Sequence, residues 1–192
     1  WLRARGRSRL PVVSASVDRA TILVTLAAGL SLAAAPASPV TGGMAFAAAL
    51  AHGIRLARWR SLSTVGEPLL FVLHFAYLWL PLGYLLTGCA VLGLWFPPTA
   101  ALHALTMGAI GSMILAVSTR VALAHTGRKL HAARLTVVAY CLLGLAVIVR
   151  VLSAWSGSAY LALVDLSALG WVVAFGIFCW VYRPILTRPR ID

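Results

Sequence analysis

Six long apolar stretches restrict this chain of 192 residues more than any other feature of its sequence. A helix needs about 20 apolar residues to cross the hydrocarbon core of a bilayer. The stretches cover residues 20–35, 40–56, 67–94, 99–123, 135–155 and 159–182. They are too uniformly apolar for the alternating strands of a barrel, the other structure that spans a bilayer. The sequence therefore predicts an all-α bundle of about six transmembrane helices, a single region over residues 1–192.

Composition favours a bilayer over an aqueous environment. Hydrophobic residues make up 61% of the chain and charged residues 10%, whereas about 25% of a soluble domain is charged. The net charge of +12 could indicate a nucleic-acid-binding surface, but the sequence contains no recognisable RNA- or DNA-binding module. The cations instead occur in groups between the apolar stretches. We therefore expect lipid as a partner and exclude nucleic acid.

The positions of the cations predict how the helices are oriented. The connections "APASP", "FPP" and "SGS" carry no charge. Cations fill the alternate connections and both terminal regions, at Arg3, Arg5, Arg7, Arg9, Arg19, Arg55, Arg58, Arg60, Arg120, Arg128, Lys129, Arg134, Arg183, Arg188 and Arg190. Only Arg150 falls towards the opposite side. Because cytoplasmic loops are enriched in Lys and Arg, both ends of the chain are predicted to be cytoplasmic.

Conventional catalytic motifs are missing from the sequence. It contains no GxSxG, Walker loop, HExxH or GxGxxG pattern. Four acidic residues in the whole chain cannot support an ordinary two-carboxylate hydrolase. Cys89, Cys141 and Cys179 lie in separate apolar stretches without the spacing of a metal site. Any chemistry must therefore come from a cofactor or from histidines.

The fourth apolar stretch contains a histidine near its start, where an imidazole is costly to bury and is a functional candidate. Met107 and Gly111 follow His103 at i+4 and i+8, which places the three residues on one face of an α-helix. Imidazole and thioether groups are ligands of haem iron and of copper. Close helix packing is the preferred interpretation of a ridge of small residues in the same stretch, formed by Ala104, Gly108 and Ser112.

Two further ionisable residues are predicted to lie at a similar depth. Arg150 is near the outer end of the fifth stretch, and Asp165 is about two turns into the sixth. Either charge alone would be costly in hydrocarbon. We therefore expect these two residues to form an ion pair, or Asp165 to accept a hydrogen bond from His103.

Four more histidines occupy the half of the bundle that is predicted to face the cytoplasm. His74 is the best placed of them as a ligand because it lies deep, about two turns into the third stretch, with Tyr77 at i+3. His52 is close to Arg55 and fits an interfacial position. The loop after the fourth stretch holds two candidates that are either ligands or solvated side chains, His125 and His131.

Two segments of the chain resemble the NnrS family of bacterial membrane proteins, most strongly over residues 67–134. These segments are "FAYLWLPLGYLLTG" and "TAALHALTMGAIGSMILAVSTRVALAHTGRKLHAAR". Matching positions are His103, Thr106, Gly108, Gly111, Arg120, His125, Thr126, Gly127 and Arg128. Ser118 and Lys129 depart from the pattern, which has Met and Pro there. The resemblance implies that this chain is the C-terminal half of a larger polytopic protein of the inner membrane.

The resemblance also implies a haem- and copper-containing protein that responds to nitric oxide in nitrosative stress and denitrification. Whether nitric oxide would be turned over, sequestered or sensed stays open. Cofactor contacts are expected at His103, Met107 and Gly111, with Arg120 and Arg128 meeting haem propionates. Metal ligands are expected among His103, His74, His125 and His131, and further ligands in the N-terminal half of the same protein.

Two alternatives without a cofactor remain open from the residues alone. The first is a transporter or an ion or proton channel, in which His103, Arg150 and Asp165 would form a relay through the membrane. An inverted repeat with interrupted helices would favour that class, and the sequence shows no convincing repeat. The second is a scaffold subunit whose polar residues only pack helices together.

Overall fold

A computed structural model describes Gly6 and residues 10–191 of the chain. In that part of the chain every regular element is a helix, and six helices are long and apolar enough to cross a membrane. The first three are α1 (Ala15–Ala34), α2 (Pro39–Ala57) and α3 (Pro68–Val91). The other three spans cover Pro98–His125, Arg134–Trp155 and Gly157–Thr187. The all-α transmembrane bundle expected from the sequence is confirmed.

The fourth span changes its helical winding twice. It consists of α4 (Pro98–His103), a π-helix (Ala104–Gly111) and α5 (Ser112–His125). The last two spans are built on α6 (Arg134–Leu152) and α7 (Tyr160–Thr187). A short 3-10 turn, Ser61–Thr64, lies between α2 and α3. The π-helix is the one element whose type the apolar pattern does not predict, because π-winding depends on local hydrogen bonding rather than on hydrophobicity.

Local sequence explains where the helices begin. The missing N–H of proline costs nothing in the first helical turn, and α2, α3 and α4 begin at Pro39, Pro68 and Pro98. The side chain of Ser14 caps α1 by accepting a hydrogen bond from the backbone N–H of Val17. Inside α3, Pro81 removes the backbone donor that would otherwise reach the carbonyl of Tyr77.

Neighbouring helices run antiparallel, which gathers the cationic connections at one end of the bundle. The contact of α3 with the π-helix illustrates this: Gly83 faces Leu105, and four residues earlier Trp79 faces Gly108. The end that carries Arg19, Arg58, Arg60, Arg128, Lys129 and Arg134 is called the arginine-rich end below.

The interior of the bundle is built from small residues, and large aliphatic side chains point outward. Ala48, Ala76, Ala104 and Ala116 are fully buried, which lets the helix backbones approach closely. Exposed leucines occur along every span, for example Leu50 and Leu145. This distribution suits a molecule whose surroundings are hydrocarbon rather than water.

Candidate functional site

His74 and Arg120, two of the predicted site residues, line the same cavity near the arginine-rich end of the bundle. The cavity has a volume of about 690 Å³. His74 enters it from α3 and Arg120 from α5. Its wall is formed by Leu10, Pro11, Val13, Trp59, Thr64, Glu67, Leu70, His74, Arg120 and Leu130. We call it the His74 cavity.

The imidazole of His74 is held in place by packing rather than by hydrogen bonds. Its Nδ1 atom is buried and has no hydrogen-bond partner among the described residues. The ring packs against Trp59, with 5.7 Å between ring centroids. The Nε2 atom of His74 makes no hydrogen bond to a described residue either, and it is not among the buried unpaired atoms. Nε2, rather than the enclosed Nδ1, is therefore the candidate for binding an external ligand.

Trp59 is also in contact with a polar network that joins α1, α2 and α3. Its ring centroid lies 4.5 Å from that of Tyr77 and 4.9 Å from the guanidinium carbon of Arg55. Arg55 donates from Nε to Asp18 at 2.7 Å and from Nη1 to the Tyr77 hydroxyl at 3.1 Å. The Arg55–Asp18 contact is the ion pair found within the described residues.

Hydrogen bonding fixes the tautomer of His52 in this network. The Thr25 hydroxyl donates to the Thr21 carbonyl at 2.6 Å, so its oxygen accepts from His52 Nε2 at 2.9 Å. Neutral imidazole has one donor and one acceptor nitrogen. Nδ1 of His52 must therefore accept from Tyr77, whose hydroxyl lies 2.6 Å away.

Both nitrogens of His52 are thus occupied, and this histidine is a structural residue rather than a ligand. It is 6% exposed because neighbouring helices cover it, and its interfacial depth stays a prediction. Its neighbour Arg55 meets the hydroxyl of Tyr77, which the sequence pattern indicated only as a neighbour of His74. The available signal was the spacing: His52 and Arg55, like His74 and Tyr77, are one turn apart at the same end of adjacent helices.

His103 lies towards the opposite end of the bundle from His74. It ends α4, about 8 Å along the helix from Pro98, and its side chain is half-buried. Its imidazole makes no hydrogen bond to any described residue, and Asp165 does not accept from it. Arg150 is the charged residue close enough to act on it electrostatically.

His103, Met107 and Gly111, which were expected to share one helical face, lie on a span that changes to a π-helix at the residue after His103. The hydrogen bonds of a π-helix run from i to i+5, and a full turn takes more residues than the roughly 3.6 of an α-helix, so the i+4 and i+8 positions stay near the face of His103. All three residues are half-buried. The sulfur of Met107 lies 3.9 Å from the hydroxyl of Ser167 on α7.

The ridge of small residues serves helix packing, as expected. A Cβ added to Gly108 would meet the ring of Trp79 at 2.7 Å. Ala104 and Ser112, one turn to either side, are likewise buried. The π-helix therefore fits closely against α3 along this line.

The predicted ion pair between Arg150 and Asp165 does not form, so that expectation was wrong. Arg150 Nη1 donates to the hydroxyl of Ser153 at 3.1 Å and lies 3.5 Å from that of Tyr160. The side chain of Asp165 is exposed on α7. Because hydroxyl groups beside α6 already bind the guanidinium, Arg150 is stabilised without a carboxylate.

The remaining predicted residues lie at the end of α5 and in the loop after it, and none of them lines the His74 cavity. His125, the last residue of α5, and His131 are exposed, and Arg128 donates to the carbonyl of Thr126 at 3.3 Å. Gly127 has φ +70°, and its Cα lies against the carbonyl of Ile191. The backbone N–H of Ile191 donates to Thr126 at 3.1 Å. The "HTGR" segment thus holds the end of the chain.

Within residues 10–191 the structure brings no set of side chains together as a metal site. No group of three or more His, Cys, Asp or Glu side chains in that region could hold a metal ion. The bundle holds His74 and His103 in opposite halves. The end of α5 carries His125, and the loop after it carries His131. The described residues offer single imidazole ligands rather than a multidentate site.

Comparison with known proteins identifies the family. Neither the curated proteins nor the solved structures contain a match to this chain. A family model described as NnrS protein matches residues 2–190, which is nearly the whole chain. The protein with this transmembrane bundle and His74 cavity belongs to the NnrS family.

Proposed function

We propose that this protein is a membrane haem protein that binds nitric oxide at the His74 cavity as part of a bacterial response to nitrosative stress. One observation carries the proposal: the unpaired imidazole of His74 and the guanidinium of Arg120 face the same cavity of about 690 Å³. Membership of the NnrS family supports the link to nitric oxide.

The residues of the cavity are chemically suited to haem. The imidazole of His74 makes no hydrogen bond to a described residue, so it would be free to hold the iron. Arg120 is half-buried in the same wall and would bind a propionate carboxylate through two N–H groups. Trp59, Leu70 and Leu130 would provide apolar surface for a porphyrin. Haem would supply an iron that can bind nitric oxide.

The chain's own residues then determine the surroundings of the bound gas. Trp59 is in contact with Arg55 and Tyr77 as well as with His74, so the imidazole that it packs against has little freedom to turn. Arg120 would orient the cofactor through its charge, and the apolar part of the wall would keep water from the ligand. Glu67 is the one acidic side chain in this wall.

Copper does not fit the described residues in the same way. A stable copper site requires several His, Cys or Met ligands together, and no such group of histidines, cysteines or acids exists within residues 10–191. We therefore assign no step to copper here. A copper site would need ligands from the N-terminal half of the same protein. We propose this N-terminal half as a further partner of the described chain.

His103 remains a second proposed ligand, with Met107 and Gly111 beside it in sequence. Its imidazole is free of hydrogen bonds to the described residues, but no arginine with a carboxylate-binding role shares its site. Three residues at the end of α5 and in the loop after it stay weaker proposals because they lie outside the cavity: His125, Arg128 and His131. The relay proposed for a transporter loses support, since Arg150 and Asp165 do not pair.

An absorption spectrum of the purified full-length protein tests the proposed function. Haem bound through histidine should give a Soret band, and adding nitric oxide to the reduced protein should shift that band. Protein from haem-replete cells that lacks a Soret band, or whose band ignores nitric oxide, would refute the proposal. We also propose that the protein lies in the inner membrane, with the arginine-rich end of the bundle in the cytoplasm. Reporter fusions test this orientation.

A further inference from the structure

A second and larger cavity lies on the outside of the bundle, between α2 and α3. Its volume is about 1090 Å³. Its walls are apolar, and several of the side chains along it are exposed in the described chain, including Leu50, Ile54, Leu78 and Leu85. We call it the α2–α3 groove. It opens sideways, where a bundle in a membrane meets hydrocarbon.

The groove is long enough to hold one acyl chain. Along α3 it extends from Phe71 to Leu85, which is about 21 Å of helix. The hydrocarbon core of a bilayer is about 30 Å thick, so one leaflet is about 15 Å deep. The groove therefore covers the depth of one leaflet and continues past the midplane.

Polar groups occur at the end of the groove that lies at the arginine-rich end of the bundle. Arg60, Ser61 and Ser63 line it there. The Arg60 guanidinium is exposed and makes no hydrogen bond to a described residue. The Ser61 hydroxyl also lacks a partner among the described residues, but protein atoms enclose it. The group that is open at the mouth of the apolar groove is therefore the Arg60 guanidinium.

The chemistry of these groups selects the occupant. Water does not fill an apolar groove at hydrocarbon depth, and a purely apolar helix would offer Arg60 no anionic partner. A phosphate offers only acceptors, and a guanidinium offers the matching donors. We propose that the α2–α3 groove binds one phospholipid with an anionic headgroup, its phosphate at Arg60 and an acyl chain along α3.

This lipid site is independent of the proposed haem function, because none of the groups that hold the phosphate takes part in the His74 cavity. His74 lines both cavities, so an acyl chain in the groove would cover the membrane side of the imidazole. The lipid would then complete the apolar wall behind the proposed ligand.

The proposal is tested by lipid retention on the delipidated full-length protein, measured by native mass spectrometry. Chain-matched phosphatidylglycerol and phosphatidylethanolamine are the probes. Gly53 lines the groove, and a Cβ there meets no atom within 4 Å, so Gly53→Leu fills the groove without a clash. Gly176→Leu is the matched control, since Gly176 on α7 is equally open and lies elsewhere.

The headgroup is tested with Arg60→Gln, and Arg19→Gln serves as the control because Arg19 is exposed on α1 at the same end but outside the groove. We expect wild type to prefer phosphatidylglycerol by about fivefold, the effect of one arginine near an anionic surface. Arg60→Gln should abolish this preference, and Arg19→Gln should keep it.

Filling the groove should lower the retention of both lipids roughly tenfold, because van der Waals contacts supply the affinity of an acyl chain in a membrane. Gly176→Leu should bind as wild type does. Equal retention of the two lipids by wild type indicates non-specific annular lipid and overturns the proposal. The proposal is also overturned if Gly53→Leu retains as much lipid as wild type. It is likewise overturned if Arg60→Gln still prefers phosphatidylglycerol.

Discussion

At the scale of single residues, the polar side chains divide into those that are satisfied and those that are not. His52, Tyr77 and Arg55 satisfy one another across two helices. His74, in contrast, has a buried nitrogen without a described partner. This difference separates a structural histidine from a candidate ligand, although both occupy the same half of the bundle.

Replacement of Tyr77 by phenylalanine should destabilise the protein while preserving the ring that packs on Trp59. The change removes the partner of both His52 Nδ1 and Arg55 Nη1, and leaving buried groups unsatisfied costs about 1–3 kcal/mol each. Thermal unfolding in detergent measures the effect. Tyr160→Phe is the control, because its hydroxyl has only a 3.5 Å contact with Arg150; equal melting temperatures for the two variants would contradict the network.

The changes Arg150→Gln and Asp165→Asn should have independent effects. The guanidinium binds Ser153 and Tyr160 rather than the carboxylate, and groups without a shared partner give additive changes in stability. Melting temperatures of both single variants and the double variant measure this. A double variant markedly more stable than the sum of the two losses would reveal an ion pair after all.

The sequence located the histidines, and their depth in the apolar stretches placed His103 and His74 ahead of the others. Depth carries no information on hydrogen-bond partners, so it could not separate a satisfied histidine from an unpaired one. The partners that distinguish His52 from His74 come from helices distant in the chain, such as Thr25 on α1. Pairing of Arg150 was likewise misjudged, because the nearby hydroxyl of Ser153 was available and the spacing of charges did not reveal it.

At the scale of helices, the spans were predictable because bilayer thickness sets their length, and the proline starts were visible in the sequence. The π-helix was not predictable from apolar pattern, which carries no information on i to i+5 bonding. In this segment Gly108 is placed directly against Trp79.

Gly108→Leu should therefore disrupt the contact between α3 and the π-helix. A Cβ at this position meets three atoms of Trp79 within 3.0 Å, and forced overpacking costs about 1–3 kcal/mol. Gly29→Leu on α1 is the matched control, since a Cβ there meets no atom within 4 Å. Folded yield and melting temperature should fall for the first variant only; the same loss in both would indicate a general intolerance of leucine.

At the scale of the whole molecule, the antiparallel helices explain why the cations form one end. The alternation of charged and uncharged connections was readable from the sequence because it follows from helix number and loop composition. The His74 cavity was not readable, since its wall combines α3, α5 and three loops. Its residues are distant in sequence and share no motif.

Reporter fusions test the orientation of the bundle. Because Lys and Arg are retained on the cytoplasmic side, fusions after Arg60 and Arg134 should report cytoplasm. Fusions after Pro98 and Gly157, in the uncharged connections, should report periplasm. Opposite results at two or more of these sites would contradict the proposed topology.

The haem content of His74→Gln in the full-length protein tests whether this histidine holds the cofactor. Glutamine can donate and accept hydrogen bonds but lacks an imidazole lone pair for iron. We expect this variant to insert and accumulate normally but to lose nearly all haem per protein. His125→Gln, exposed at the end of α5, should keep the wild-type haem content, and so should His103→Gln. Full haem occupancy in His74→Gln would show that His74 is not the ligand.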